Sequence, residues 1–277
     1  MAGKKKDTSL LHHLIGSRSL VWNLAKNDIK KKFAGSYFGV VWAFVQPVIT
    51  VLLYWFVFEK GLNSKATDLR TGIEIPFVLW LTAGLVPWFY FQEALNGGTG
   101  VLVEYSYLVK KVVFRVEILP IIKMMSCLMV HLIFVLIMGA LFLCFGWMPR
   151  ISWIQTMYYT FAAFMLSIAL VYFTSAVQVF FKDMAQIVGI CLQFGMWLTP
   201  IMYQETMFAD KAPWFVTILK LNPFYYVVAG YRDSMLTGNW FWERPKLGIY
   251  FWVVTLVIGL VGFRVFKRLR PHFSDVL

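Results

Sequence analysis

Charged side chains are scarce in this sequence: Asp, Glu, Lys and Arg make up 14% of its 277 residues, little more than half the ~25% of an ordinary soluble domain. That scarcity excludes a soluble enzyme and a disordered tail. Cysteine is scarce too. The three present, Cys127, Cys144 and Cys191, all fall inside apolar runs, which excludes a loop-rich disulfide scaffold and leaves the redox compartment open. Also missing are the spacings of common metal and nucleotide sites. There is no Cys-x-x-Cys, no His-Glu-x-x-His and no Gly-x-x-x-x-Gly-Lys-Ser/Thr loop; Gly3-Lys4 has neither the upstream glycine nor the hydroxyl. His12 and His13 are adjacent rather than one helical turn apart. The chain is therefore expected to hold no catalytic residue, no metal and no cofactor of its own, and to bind no ATP by that loop. Its N-terminus, MAGKKKDTSLLHHL, is basic but lacks an apolar core, so the first spanning helix is expected to direct insertion in place of a cleaved signal.

Apolar residues fill the space that charge leaves: 60% of the chain is hydrophobic and 18% aromatic. They gather into runs of about 20, the length a helix needs to cross ~30 Å of hydrocarbon. Length and apolar content predict an all-α integral membrane protein forming one transmembrane domain, with six spans at about 37–58, 75–95, 119–145, 153–181, 185–203 and 247–263. A seventh apolar stretch, 213–231, has Lys220, Asn222 and Pro223 at its middle. It is read as two short re-entrant or interfacial helices in an external segment, 204–246.

Charge orients this arrangement. With six spans, the face holding both termini carries a net +10 and the other face +2. The termini, including the N-terminal 1–36 and the tail after the last span in 247–277, are therefore expected on the cytoplasmic side. The overall +12 then reflects cytoplasmic loops, not nucleic-acid binding.

Two cytoplasmic segments are patterned. From Ser19 to Phe33, Val21, Ala25, Ile29 and Phe33 recur four apart, with Lys26, Asn27, Lys30 and Lys31 between them and Trp22 placed as a headgroup anchor. This is the pattern of a basic amphipathic helix lying in the membrane interface. It serves either as a simple topology determinant or as a cytoplasmic gate whose Lys30, Lys31 and Lys32 attract an anionic headgroup. In 96–118, three glycines are expected to break the second span. A short surface helix should follow, with Val101, Tyr105, Leu108 and Val112 on one face and Glu104, Lys110, Lys111 and Arg115 on the other; it is a connector or a docking element.

Within the spans, ionisable groups are few. His131 has no nearby carboxylate in sequence and reads as a packing or hydrogen-bonding residue. Glu93 and Lys123 are placed near span ends, where snorkelling is cheap. Pro47, Pro87 and Pro200 are expected to interrupt their spans.

Five ordered stretches carry a resemblance: KKKFAGSYFGVVWAFVQPVITVLLYWFVF, IPFVLWLTAGLVPWFYFQEAL, EYSYLVKKVVFRVEILP, VFFKDM and LNPFYYVVAGYRDSML. From about residue 18 to 267 the chain resembles the permease subunits of type-2 ABC exporters of cell-surface polysaccharides, the teichoic-acid and O-antigen export permeases. It departs at Arg115-Val116, where relatives often carry a proline. The resemblance implies a dimer of six-span permeases with two separate ATP-binding-cassette subunits, which bind ATP and Mg, exporting a glycan on undecaprenyl pyrophosphate. It makes the helix bearing Trp22, Lys26, Lys30, Lys31, Lys32 and Phe33 a gate beside the lipid access point. It makes Glu104, Tyr105, Tyr107, Lys110, Lys111 and Arg115 the main contact with the ATPase, with Lys182 and Asp183 a second one. It places Asn222, Pro223, Phe224 and Tyr225 at the outer mouth.

A sugar presents apolar C–H faces, so aromatic rings in a conduit let it slide. Candidates are Trp42, Tyr54, Trp88, Tyr90, Phe194 and Trp197, although Trp and Tyr also form interfacial belts in membrane proteins of every function. A permease for a drug or lipid, or a membrane-embedded transferase acting on lipid-linked glycans, are the alternatives.

Overall fold

The computed structural model describes residues 18–32, 34–63, 66–67, 72, 74–110, 115–209 and 211–277. Phe33 and Lys111 lie outside the described residues. The expected N-terminal amphipathic helix is α1, Arg18–Lys32. Four helical stretches among the described residues are long and apolar enough to cross a membrane: Gly39–Gly61, Ile118–Cys144, Ile151–Phe180 and Pro245–Val276. Their cores are α2 (Trp42–Trp55), α5 (Ile118–Cys144), α6 (Gln155–Phe180) and α11 (Pro245–Leu269).

The other two expected spans differ, each for a physical reason. Helix α3, Phe77–Glu104, is ~42 Å long, but its second half carries Gln92, Glu93, Asn96 and Glu104, which dilute its apolar content. Helix α7, Met184–Leu198, is apolar but has only 15 residues, ~22 Å of helix. Thr199 leaves the helical conformation ahead of Pro200, as the residue before a proline tends to.

The glycines at 97, 98 and 100 do not break α3, contrary to the sequence expectation. They fall within it, and among the described residues the surface helix expected after them is one turn, α4 at Ser106–Val109; Val112 lies outside the described residues. What Gly98 supplies is proximity. A Cβ there would come within 2.5 Å of Val171 and 2.9 Å of Met124, so the absent side chain lets α5 and α6 close on α3. Thr99 donates to Thr174 across the same contact at 2.9 Å, a buried interhelical bond of the kind that joins membrane helices. Pro47 and Pro87 likewise sit inside α2 and α3 without ending them.

Helix α3 is the central post, mostly buried, packed by α5, α6 and α7. Helix α11 packs along α6, where Gly262 leaves no room for a Cβ: one would lie 2.7 Å from the Ala169 carbonyl oxygen. After α7 come α8 (Thr206–Ala209), α9 (Pro213–Leu221) and α10 (Pro223–Arg232). Asn222 separates the last two: its side-chain oxygen accepts from the Phe224 N–H at 3.0 Å, and Pro223 occupies the first helical position, a helix start that both residue types favour. A two-residue antiparallel pair, β1 (Ala66–Thr67) with β2 (Glu74–Ile75), precedes α3. The apolar core has two parts. One surrounds α3, α5, α6 and α10; the second gathers Ala25, Tyr105, Ile122, Phe266 and Phe273, with α12 (Phe273–Val276), and seats α1 against the body.

Candidate functional site

Beside α1 lies a cavity of about 750 Å³ walled by α1, α2, α3 and α5. Helix α2 contributes Trp42, Gln46, Thr50 and Tyr54, four apart and therefore on one face. Across from them stand Phe89 and Tyr90 of α3 and Phe134 of α5. The wall thus alternates aromatic rings with amide and hydroxyl groups. His131 also borders it, buried, with Nε2 at 2.8 Å from the Tyr231 hydroxyl, which itself lies 2.5 Å from the Thr160 hydroxyl. This histidine ties α5 to α6 and to α10, in keeping with the hydrogen-bonding role.

Three α1 side chains, on adjacent turns, fasten that helix to the body. Asp28 is 2% exposed. Its Oδ1 accepts from the Tyr105 hydroxyl at 2.7 Å and from Lys123 Nζ at 3.1 Å, and its Oδ2 from Ser126 at 2.7 Å. Lys123 also reaches Glu104 at 3.1 Å. Burial first, then the bond to Asp28, pushes the Tyr105 phenol above its ordinary range, which keeps it a neutral donor. Lys31 donates to the Tyr107 hydroxyl at 3.2 Å, with its ammonium 5.1 and 5.3 Å from the ring centres of Tyr105 and Tyr107. Lys32 pairs with Glu93 at 2.6 Å at the edge of the cavity. The last pair is half exposed, so it contributes at most about 1 kcal/mol and is readily opened. The Asp28–Lys123 pair is buried, and losing one partner strands a charge.

The structure corrects one placement. Lys123 does not snorkel; it is 6% exposed, because Asp28 and Glu104 supply in place what a headgroup region would. Asp28 was not singled out from sequence. The signal was there: a lone carboxylate one turn after Leu24 and Ala25, on the apolar side of a lysine-rich helix.

The remaining sequence candidates are spread more widely. Trp22 is exposed, with Lys26 over its ring at 5.1 Å, and Lys30 is exposed. Lys110 is exposed and Arg115 half-buried. Lys182 and Asp183 form an exposed turn between α6 and α7 that Gln178 closes, donating to the Lys182 carbonyl at 3.0 Å and accepting from the Ala185 N–H at 2.7 Å. Of the six aromatics, Trp42, Tyr54 and Tyr90 border the cavity. Trp88 is buried against Phe91 and Phe224, while Phe194 and Trp197 are exposed on α7. Phe224 stacks on Phe91 at 4.2 Å, and Tyr225 donates to Glu205 at 2.7 Å. Asn222 donates to the Thr199 hydroxyl at 2.8 Å, which ties the start of α10 to the end of α7.

A family model described as ABC-2 type transporter matches residues 19–236. The chain is also similar to an O-antigen export system permease protein RfbA of Klebsiella pneumoniae, 23% identical over 258 residues that cover 92% of this chain and 93% of the relative. A second protein of that name from Klebsiella pneumoniae is 23% identical over 262 residues, covering 92% and 93%. One from Myxococcus xanthus is 25% identical over 268 residues, covering 96% and 98%.

Proposed function

The chain belongs to the ABC-2 type transporter family, and from that premise we propose that it is the membrane subunit of an ATP-driven exporter of an undecaprenyl-pyrophosphate-linked polysaccharide. The polymer is of O-antigen or teichoic-acid type, and two copies work with two ATPase subunits. The observation that carries this reading is the cavity beside α1, lined by rings and hydroxyl or amide groups and edged by an openable Lys32–Glu93 pair. Rings hold a sugar by its C–H faces, and scattered polar groups exchange hydroxyls without fixing them. Such a wall suits a polymer that must slide.

In this reading α3 and α7 join the four long apolar helices to make six spans, and both termini face the cytoplasm. Helix α1 is the gate. Lys30, Lys31 and Lys32 draw the diphosphate of the carrier, which competes with Glu93 for Lys32 and opens the cavity edge. The segment from Glu104 to Arg115 takes the main push of the ATPase, and the Lys182–Asp183 turn takes a second. Because Tyr105 and Tyr107 are bonded to Asp28 and Lys31, a displacement of that segment carries α1 with it. The two short helices around Asn222 and Pro223 close the outer mouth.

Deleting the gene in its host and staining the cell surface for polymer tests this. Loss of display, with lipid-linked polymer accumulating inside, is expected; unchanged display, together with failure of any ATPase subunit to co-purify, overturns the proposal.

A further inference from the structure

The cavity beside α1 is matched by a smaller one, about 290 Å³, near the start of α3. Trp80 borders it, whereas the α3 residues on the first cavity run from Phe89 to Asn96, so ~14–24 Å of helix separates the two. The second cavity has a different character. Arg232, Asp233, Arg244, Glu205 and Gln204 face it.

Arg232 is part of its frame. The guanidinium donates to the carbonyls of Pro200 at 2.6 Å and Ile201 at 2.9 Å and lies 3.4 Å from the centre of the Trp80 ring. Gly84 makes room for it, since a Cβ there would come within 2.9 Å of Arg232 Nη2. Asp233 is buried. Among the described residues its three donors, Thr237, Asn239 and Arg244, all reach Oδ1, leaving Oδ2 as an acceptor. Arg244 uses one nitrogen on Asp233 and is partly exposed. Gln204 donates to the Thr67 carbonyl at 3.0 Å, which leaves its own carbonyl oxygen as an acceptor.

We infer that this pocket binds one uncharged sugar unit of the glycan at the outer face, a subsite distinct from the sliding conduit. The inference rests on the exporter reading for its side and its cargo. Two guanidiniums and two carboxylates border the cavity, so an anion meets the carboxylates and a cation meets the guanidiniums. Neither gains. A hydroxyl both donates and accepts, and a ring of hydroxyls matches a wall of mixed acceptors and donors. Trp80 is buried beneath Arg232 and stacked with Phe77 at 5.7 Å, so it offers no stacking face. Recognition here runs through hydroxyl geometry, which discriminates one sugar from another more sharply than aromatic contact does. The volume sits at the lower edge of small-molecule sites, enough for one ring and not for a chain.

The test uses the full chain in lipid nanodiscs and saturation-transfer NMR with a panel of neutral disaccharides (maltose, lactose and mannobiose) and with glucose 1-phosphate and spermidine as charged probes. A neutral sugar is expected to bind at millimolar concentration. Asp233→Asn and Arg244→Gln should each weaken it about tenfold, the loss of one hydrogen bond to a charged group. Gln204→Ala, which leaves both charged pairs in place and so preserves the fold, should also weaken it. Absence of sugar binding, binding that all three variants retain unchanged, or preference for a charged probe overturns the inference. Surface display of polymer in the deletion strain separates the two claims. Display that does not depend on the gene defeats the exporter reading. Display that depends on it, with sugar binding unchanged in the pocket variants, defeats the subsite alone.

Discussion

Lys123 has two carboxylate partners while Asp28 has one cation, and that asymmetry sets what each substitution does. Lys123→Met strands the buried Asp28 charge, and should cost on the order of 3–5 kcal/mol. Asp28→Asn leaves Lys123 paired with Glu104, and should cost less. Glu104 is 46% exposed, so Glu104→Gln should cost under about 1 kcal/mol. Thermal unfolding of the purified protein in detergent checks the order; equal shifts for all three would refute the assignment of Lys123 as the partner that Asp28 cannot spare. Small residues follow a different rule. Gly262 faces a backbone carbonyl, which cannot rotate away as a side chain can, so Gly262→Ala should force α11 off α6 at about 1–3 kcal/mol. Gly139, with nothing nearer than 3.8 Å to an added Cβ, should accept alanine with no measurable loss.

At the scale of elements, α1 is the piece on which the proposed coupling turns. Its extent was legible because four-residue spacing of apolar positions and interleaved lysines leave no other regular structure. Its attachment was not, because Asp28, Tyr105 and Lys123 are dispersed along the chain and only the fold brings them together. The same limit explains α3. Three glycines in a row of polar neighbours read as a break when local propensity is all that is visible, yet packing by α5 and α6 repays the propensity loss. Trp88 shows it again: an interior aromatic has the same sequence appearance in a lumen or in a core, and Phe224, far along the chain, decides for the core. Tyr105→Phe and Lys31→Met remove the bonds between α1 and the 105–107 segment while keeping the apolar contacts. Each should lower polymer exported per ATP hydrolysed several-fold, Lys31→Met at unchanged Tm because its bond is exposed and Tyr105→Phe with a lowered Tm, since it takes a donor worth about 1.5–3 kcal/mol from the buried Asp28; full coupling in the double variant would show that α1 is not the link. Asn222→Ala removes both a helix cap and the bond to Thr199, and should lower stability by about 1–2 kcal/mol.

For the whole molecule, the apolar runs made a membrane protein legible, since they follow from the solvent rather than from tertiary contacts; the cytoplasmic placement of the termini is a proposal that rests on the charge distribution. Span number was harder. A helix as buried as α3 is shielded by its neighbours and tolerates polar residues that a lipid-facing helix does not, which is why it falls outside the four stretches long and apolar enough to cross a membrane although its apolar first half, 75–95, reads as a span. The molecule holds two cavities along one central helix, a wide aromatic one at its middle beside a fastened amphipathic helix and a narrow charged one near its start. This division suits a conduit that admits cargo loosely and releases it past a more selective exit. A conduit does no work by itself, and the central claim is that a separate ATPase drives it. The most direct measurement is uptake of a fluorescent lipid-linked oligosaccharide into proteoliposomes that contain this chain alone, or this chain with its ATPase and ATP. Accumulation is expected only when ATPase and ATP are both present, and should vanish when ATP is replaced by a non-hydrolysable analogue. Accumulation against a gradient by this chain alone would contradict the account.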